Sequence, residues 1–148
     1  TEAISDPFIY GNDDYFYLQP VQPDNYYGQL MGNSEYKRLA RYTMDILRYN
    51  DLPTLFFDVH RPMLIHKQPF IDAYNFFEAH LKINNGLLVK SCYGNYNGLD
   101  GVPVTDCKLM YWNGEPDIDM FSIGDGCIDV MFRAWCENKW GVKSKYEI

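Results

Sequence analysis

Three separate segments of this chain carry apolar residues at helical spacing, and this pattern constrains the fold more than any other feature of the sequence. Apolar side chains that recur every three to four residues form one face of an amphipathic helix, which must be buried against another element. Asn33-Ser34 suits the start of the first helix, and Pro69 suits the first turn of the second. The pattern predicts about three helices. Their apolar faces are Leu39, Tyr42, Ile46, Leu47 and Tyr49; Phe70, Tyr74, Phe77 and Leu81; and Ile128, Met131, Phe132, Trp135 and Cys136.

Short apolar and aromatic runs of strand length lie outside these helical segments. Gly, Pro, Asn and Asp separate the runs, so none of them extends into a long strand. The helices and strands together predict an α/β (α+β) fold, with a small mixed sheet in a single domain over residues 1–148. The strand-length runs are residues 7–10, 15–18, 55–59, 63–65, 87–89, 109–112 and 118–121.

Composition and charge exclude several classes of function. The chain has 148 residues, of which 47% are apolar and 17% aromatic, so it can bury a real core. Its net charge of -7 disfavours nucleic-acid binding, because a protein needs a basic face to displace the counterions of a nucleic acid. A nucleotide diphosphate is also anionic, so binding one would require a cation or locally placed Lys, Arg and helix N-termini.

The cysteines and the hydropathy pattern bear on the compartment of the protein. Cys92, Cys107, Cys127 and Cys136 form no Cys-x-x-Cys pair, and their spacing does not suit a zinc site. We interpret them as reduced thiols of a cytoplasmic protein. No apolar run approaches the roughly 20 residues of a membrane-spanning helix, so no transmembrane segment is expected.

The turn Gly11-Asn12-Asp13-Asp14 lies between two aromatic strands and carries two adjacent carboxylates. Carboxylate oxygens suit hard cations such as Mg²⁺ and Mn²⁺, and one or two of them suffice when substrate phosphates complete the coordination shell. Gly, Asn and Asp are also the residues of an ordinary hairpin turn. Both interpretations remain open from the sequence.

Two further segments carry polar groups next to apolar runs. His60 and Arg61 follow the run 55–59, and Pro62 would fix the turn that presents them as a base or ligand and a phosphate clamp. The segment 93–101 is rich in turn-forming residues and is predicted to be a loop. Its Tyr93, Tyr96 and Asn95 are candidates to stack on and hydrogen-bond a sugar. Exposed polar groups at a strand end and a plain surface loop are the alternatives.

The segment Gly124-Asp125-Gly126 precedes the last predicted helix. Asp125 there is interpreted as the cap of that helix, and it can also border an acceptor site together with Ser122. The stretch Lys139–Lys145 is locally basic and suits either phosphates or a solvated tail.

The order of four of these segments resembles Stealth-type capsular sugar-phosphate transferases and related bacterial and phage GT-A-like glycosyltransferases, specifically the C-terminal portion of such proteins. No Walker-type loop, dinucleotide-binding fingerprint, GxSxG elbow or HExxH helix points elsewhere. The closing segment lacks the Pro that this group has. The four segments are Phe8 to Leu18 followed by Pro20-Val21; His60-Arg61-Pro62 ahead of Lys67; Phe121-Ser122-Ile123-Gly124-Asp125; and Lys143-Ser144-Lys145-Tyr146-Glu147.

The resemblance implies a metal-dependent transferase of polysaccharide biosynthesis with a nucleotide-sugar donor and a glycan acceptor. By that resemblance, Asp13 and Asp14 would bind Mg²⁺ or Mn²⁺ and the donor diphosphate. His60 would act as a further ligand or as a base, and Arg61 would hold phosphate. Asp125 would orient or deprotonate the acceptor hydroxyl.

One departure from the group concerns the N-terminal side. GT-A-like folds hold the nucleotide mainly with a βαβ half that precedes the acidic motif, whereas here that motif begins at residue 12. The chain is therefore expected to be a fragment that lacks this half, a half that depends on a partner, or a non-catalytic carbohydrate-binding or phage-associated interaction protein. An exposed sheet edge would also favour a homodimer.

Overall fold

The computed structural model describes residues 5–30, 34–81 and 86–141. The described residues form helices and short strands, which confirms the mixed α/β class. The helices are α1 (Ser34–Tyr49), α2 (Lys67–Leu81), α3 (Val89–Tyr96) and α4 (Val130–Trp140). The strands are β1 (Phe8–Tyr10), β2 (Tyr15–Tyr17), β3 (Tyr26–Tyr27), β4 (Met63–Ile65), β5 (Val102–Pro103), β6 (Lys108–Leu109) and β7 (Met120–Ile123).

Backbone contacts divide the chain into two compact units. The first unit spans Thr1–Asn12 and Gln22–Asp106, and the second unit spans Asp13–Val21 and Cys107–Ile148. The boundary between Asn12 and Asp13 falls inside the acidic turn, so the two carboxylates of that turn belong to the second unit.

The first unit is built on α1, α2 and α3, with two small sheets beside them. Strand β1 is antiparallel to β4, and β3 is parallel to β5. Leu47 of α1 and Phe77 of α2 are buried together, as their helical spacing predicts. Tyr49 and Tyr74 were predicted on the same apolar faces, but they are 82% and 51% exposed. The prediction of α1 and α2 is confirmed, whereas the assignment of Tyr49 and Tyr74 to the buried apolar faces is wrong. The predicted cap residue Asn33 lies outside the described residues.

Helix α3 includes residues that the sequence predicts to be part of a strand and part of a loop. The predicted strand at residues 87–89 is wrong, and the predicted loop at residues 93–101 is wrong for residues 93–96, because residues 89–96 are helical. Residues 97–101 have neither helix nor strand, as predicted. The predicted strand at residues 55–59 is also wrong, since this segment has no strand partner. Side chains of α3 bond its backbone instead. Asn95 accepts from the Leu55 N–H at 2.9 Å and donates to its carbonyl at 2.8 Å, and Ser91 accepts from the Phe57 N–H at 3.1 Å.

The second unit contains a three-stranded sheet in the order β2-β7-β6. Strand β7 is antiparallel to β2, with Tyr15 opposite Ser122, and parallel to β6, with Lys108 opposite Ser122. A hairpin of β1 and β2 is therefore wrong, although both strands exist. Strand β1 pairs with β4 in the first unit and β2 pairs with β7 in the second.

Helix α4 covers this sheet with aromatic side chains. Phe132 of α4 is 5.4 Å from Phe16 of β2, and Phe16 stacks on Phe121 of β7 at 5.2 Å. The Asp129 side chain caps α4 by accepting from the Phe132 N–H at 2.8 Å. The prediction that Asp125 is the cap is wrong, because Asp125 begins the separate 3₁₀ turn Asp125–Cys127.

Candidate functional site

The acidic turn and the Ser/Asp segment meet within the second unit. The Ser122 hydroxyl donates to Asp14 Oδ2 at 2.6 Å, and Ser122 is fully buried. The pairing of β2 with β7 causes this contact, since it sets Tyr15 opposite Ser122 and brings the preceding Asp14 to the same point. Two candidate residues that lie 108 positions apart are therefore in direct contact.

The second carboxylate oxygen of Asp14 has an unusual environment. Asp14 Oδ1 is buried and has no hydrogen-bond partner within the described part of the chain. The Lys108 ammonium lies 3.9 Å from Oδ2, and both side chains are about one-third exposed. An ion pair with that exposure contributes little to stability. Asp14 is thus a partly shielded carboxylate with unused acceptor capacity.

Asp13, which precedes Asp14 in the chain, and Asp125 are both exposed. Across residues 5–30, 34–81 and 86–141, no group of three or more His, Cys, Asp or Glu side chains is arranged to hold a metal ion. Asp13 and Asp14, which are adjacent in sequence, and the unpartnered Oδ1 of Asp14 are oxygen donors of the type that Mg²⁺ or Mn²⁺ takes together with waters and phosphate oxygens. They do not fit a closed zinc site, which needs four protein ligands.

An aromatic wall that the sequence analysis did not single out lies beside this turn. Tyr15, Phe16, Tyr17 and Trp140 line an open depression in the second unit. Tyr17 and Trp140 are 45% and 42% exposed. Exposed aromatic rings of this kind stack on the apolar faces of sugars. Tyr15, Phe16 and Tyr17 belong to the aromatic strand that the sequence predicts after the acidic turn, whereas Trp140 had no signal beyond the abundance of aromatic residues.

In the first unit, His60 is paired with a carboxylate. Its Nδ1 lies 2.9 Å and 2.8 Å from the two carboxylate oxygens of Asp106, and its backbone N–H donates to Asp106 Oδ1 at 3.0 Å. The two side chains are 18% and 8% exposed. Asp106 was missed by the sequence analysis, because a single Asp between Thr and Cys carries no pattern.

Arg61 lies next to this pair but contacts an aromatic ring. Its guanidinium carbon is 5.5 Å from the centre of the Tyr26 ring, which is a cation–π distance. Its carbonyl accepts from Lys90 Nζ at 3.1 Å. The Tyr26 ring therefore supports the planar guanidinium of Arg61.

A buried polar cluster supports the backbone around His60. Lys90 is 3% exposed, and its ammonium donates to the carbonyls of Val59 and Arg61. Asp58 accepts from the Ser91 N–H at 2.8 Å, at the start of α3. Burial raises the pKa of the Asp58 carboxyl, while the Ser91 hydroxyl and the Lys90 charge oppose that rise. Lys90 carries no sequence signal beyond being one cation directly after the apolar run 87–89.

A tyrosine hydroxyl completes the polar surroundings of Asp58. Tyr36 donates to the Asp58 carbonyl at 3.4 Å. Burial raises the pKa of Tyr36, and the carboxylates of Asp58 and Asp106 raise it further. The phenol therefore stays protonated at neutral pH and acts as a donor.

The predicted sugar contacts of residues 93–101 need correction. Tyr93 and Asn95 are 3% and 1% exposed, because they face inward from α3 instead of lying in a loop. The amide of Asn95 is used on the Leu55 backbone, and the Tyr93 hydroxyl accepts from the His66 N–H at 3.2 Å. Tyr96 is half-buried against aromatic rings of α2. These three residues stabilise the first unit.

The candidate residues thus divide between the units. Asp13, Asp14, Ser122 and Asp125 belong to the second unit, and His60 and Arg61 belong to the first. The predicted closing segment, residues 143–147, lies outside the described residues.

Comparison with known proteins adds no family to these observations. No protein-family model, curated protein or solved structure matches this chain. No described helix has both the length and the apolar character needed to cross a bilayer.

Proposed function

We propose that this chain acts in the metal-dependent transfer of a sugar or sugar phosphate from a nucleotide-sugar donor to a hydroxyl group of a glycan acceptor. The observation that supports the proposal most is the 2.6 Å contact between Ser122 and Asp14. It joins, within one compact unit, two of the segments on which the resemblance to capsular sugar-phosphate transferases rests.

The acidic turn supplies the groups that such a reaction needs for the donor. Asp13 and Asp14 would hold Mg²⁺ or Mn²⁺, which would neutralise the charge that develops on the leaving nucleotide phosphate. In a chain of net charge -7, such a cation would supply positive charge for an anionic donor. The ammonium of Lys108, 3.9 Å from Asp14, adds positive charge beside the same carboxylate.

The transfer itself requires a base and a surface for the sugar. The acceptor oxygen attacks the donor, its proton passes to a carboxylate such as Asp125, and the bond to the nucleotide phosphate breaks with its electron pair on the leaving oxygen. The exposed rings of Tyr17 and Trp140 offer a stacking surface for a pyranose.

The test compares metal binding by the wild type with that of two conservative variants. Asp13→Asn and Asp14→Asn remove charge but keep the shape, and an Asn at position 14 can still accept from Ser122. We expect MnCl₂ to raise the melting temperature of the wild type and to leave both variants unchanged. Asp117→Asn is the matched control, since Asp117 is an exposed acid of the same unit. Its shift should equal that of the wild type.

A second measurement tests the reaction. With Mn²⁺, the wild type should release nucleoside mono- or diphosphate from UDP-, GDP- or CMP-sugars faster in the presence of a glycan acceptor than without one. The absence of any metal-induced shift in the wild type would refute the metal site. Glycan binding that survives EDTA and both substitutions would instead favour the non-catalytic carbohydrate-binding alternative.

A further inference from the structure

Several large apolar side chains of the second unit are exposed to solvent. Val130, Tyr111 and Met131 are 80%, 76% and 70% exposed. The sequence predicts Ile128 and Met131 on the apolar face of the last helix, which should be buried, yet both are exposed. Single exposed apolar residues are ordinary, whereas a group of them marks an interaction surface. The apolar patch comprises Met110, Tyr111, Ile128, Val130 and Met131.

The patch is local, because the two segments that carry it are held against each other. Residues 109–111 form one segment, and residues 124–131 form the other. The Gly124 N–H donates to the Leu109 carbonyl at 2.8 Å. A Cβ at Gly126 would lie 2.8 Å from a backbone carbonyl of the first segment, so glycine permits this close approach. The exposed apolar side chains of both segments therefore lie in one region of the second unit.

The charged residues within these two segments are both acidic. They are Asp125 and Asp129, and both are exposed. The cations that adjoin the segments in the chain are Lys108, which lies 3.9 Å from Asp14, and Arg133, one turn along α4. Acids outnumber Lys and Arg in the described part of the second unit. The surface therefore complements a ligand that combines apolar side chains with positive charge.

This charge pattern selects among the occupants that an apolar surface can have. A symmetric dimer would place the patch and its two acids against the same groups of a second copy, and like charges across an interface are unfavourable. An anionic lipid surface attracts basic segments, so it would repel these acids. A basic amphipathic segment of another protein satisfies both the apolar and the acidic groups.

We propose that the apolar patch is a docking surface for an amphipathic helix of a partner protein. The apolar side of that helix covers the patch, and its Lys or Arg side chains pair with Asp125 and Asp129. Methionine side chains adapt their shape to different apolar surfaces, so Met110 and Met131 suit this role. A docked helix would also restrict access to Asp125. The effect of that restriction on transfer rests on the proposed function, whereas the binding itself does not.

The test measures binding of a model helix by calorimetry, without metal, nucleotide or acceptor. The probe is an amphipathic peptide of about 14 Leu and Lys residues, which forms a helix of roughly four turns. The wild type should bind it, and a peptide of the same pattern with Glu in place of Lys should not bind. Val130→Thr combined with Met131→Gln keeps side-chain size but adds polar groups, and should weaken the affinity at least about tenfold.

Two further variants test the other segment and the acids. Tyr111→Ser should also weaken binding, because Tyr111 belongs to the same patch. Asp125→Asn should weaken it about twofold to fivefold and reduce its dependence on NaCl. Ile71→Gln is the matched control, since Ile71 is a 46% exposed apolar residue of α2 in the first unit, and its affinity should equal that of the wild type. Far-UV circular dichroism checks that each variant is folded.

Several outcomes would overturn the proposal. They are a wild type that does not bind the Leu/Lys peptide, an affinity that the Val130→Thr and Met131→Gln pair leaves unchanged, and equal binding of the Leu/Glu peptide. A wild-type dimer that this pair of substitutions dissociates would identify a second copy as the occupant instead. A missing metal effect at Asp13 and Asp14 would refute the proposed function and leave the peptide result intact, so the two failures are distinguishable.

Discussion

At the scale of single residues, Lys90 shows how a buried charge is accommodated. An ammonium removed from water loses several kcal/mol of solvation, which only good hydrogen bonds and a nearby opposite charge can offset. Lys90 obtains two backbone carbonyls and the charge of Asp58. The arrangement stabilises one conformation of residues 58–61, since both of these carbonyls and Asp58 lie on that segment.

The four thiols differ in burial, so we expect them to differ in reactivity. Cys92, Cys107 and Cys127 are buried, Cys136 is half-exposed, and none forms a disulfide. Burial raises the pKa of Cys92 to about 12, with a further contribution from Asp58. Because the thiolate is the nucleophile, we expect one fast-reacting thiol in the folded protein and four in denaturant, measured with Ellman's reagent.

The matched variants for this prediction are Cys136→Ser and Cys92→Ser. The first should abolish the fast phase, and the second should leave it intact. Burial also raises the pKa of Cys136, so its rate should still increase as the pH rises above neutrality. A fast phase that survives in Cys136→Ser would contradict the burial pattern.

The sequence identifies individual residues better than it identifies their partners. Asp14 and Ser122 were both singled out, but their contact depends on a strand pairing across 108 positions, which no local pattern encodes. Asp106 and Lys90 were missed for a related reason. Each is a single charged residue whose sequence neighbours form no recognisable motif. Its role depends on contacts with groups that are distant in the sequence.

At the scale of elements, side chains of α3 form hydrogen bonds to the backbone of a segment that is not paired in a sheet among the described residues. Helix α3 bonds residues 55–58 through Ser91 and Asn95, and it approaches that segment closely at Gly94. A Cβ at Gly94 would lie about 2.5 Å from the Phe57 ring, far inside normal contact. Phe57 is 1% exposed and belongs to a buried cluster with Met63, Ile65 and Tyr93, so movement of its ring would disturb packed neighbours.

Gly94→Ala is therefore expected to destabilise the protein, although Ala favours a helix by about 1 kcal/mol over Gly. Overpacking in a tight core costs about 1–3 kcal/mol, so we expect a net loss of up to about 2 kcal/mol in urea unfolding. A smaller ring neighbour removes the clash. In the background Phe57→Leu, the same Gly94→Ala change should cost less or be neutral, which a double-mutant cycle measures. Equal costs in both backgrounds would show that the contact is not the cause.

The elements that could be predicted are those with long periodic patterns. Helices α1 and α2 have 16 and 15 residues with apolar side chains at helical spacing. Helix α3 has only eight, and its sequence contains Gly94, Asn95 and Ser91, which are typical of loops. Tertiary contacts with residues 55–58 override that local preference. The prediction that Asp125 caps α4 was wrong for another reason. Asp125 and Asp129 are equally suitable cap residues in the sequence.

At the scale of the whole molecule, no linker in the sequence predicted the division into two units. The second unit is assembled from residues 13–21 and 107–148, with the first unit contributed by the chain between and before them. The chain crosses between the units at residues 12–13, 21–22 and 106–107, and of these only the crossing between Pro20 and Pro23 has the composition that marks a domain boundary. Only the pairing of distant strands reveals the division.

The distribution of stability within the first unit gives the last prediction. Its strands have only two or three residues, whereas its helices bury Leu47 and Phe77 almost completely. Backbone bonds at exposed strands open easily, while helix amides beneath a packed core open only with larger unfolding. The amides of Leu47 and Phe77 should exchange with deuterium at least about tenfold more slowly than those of Val102 and Val104, after correction for intrinsic rates. Val102 is 45% exposed although its N–H is bonded to the Asn25 carbonyl, so it is the matched control for hydrogen bonding without burial. Equal protection at all four positions would mean that the small sheets and the helical core open as one cooperative structure.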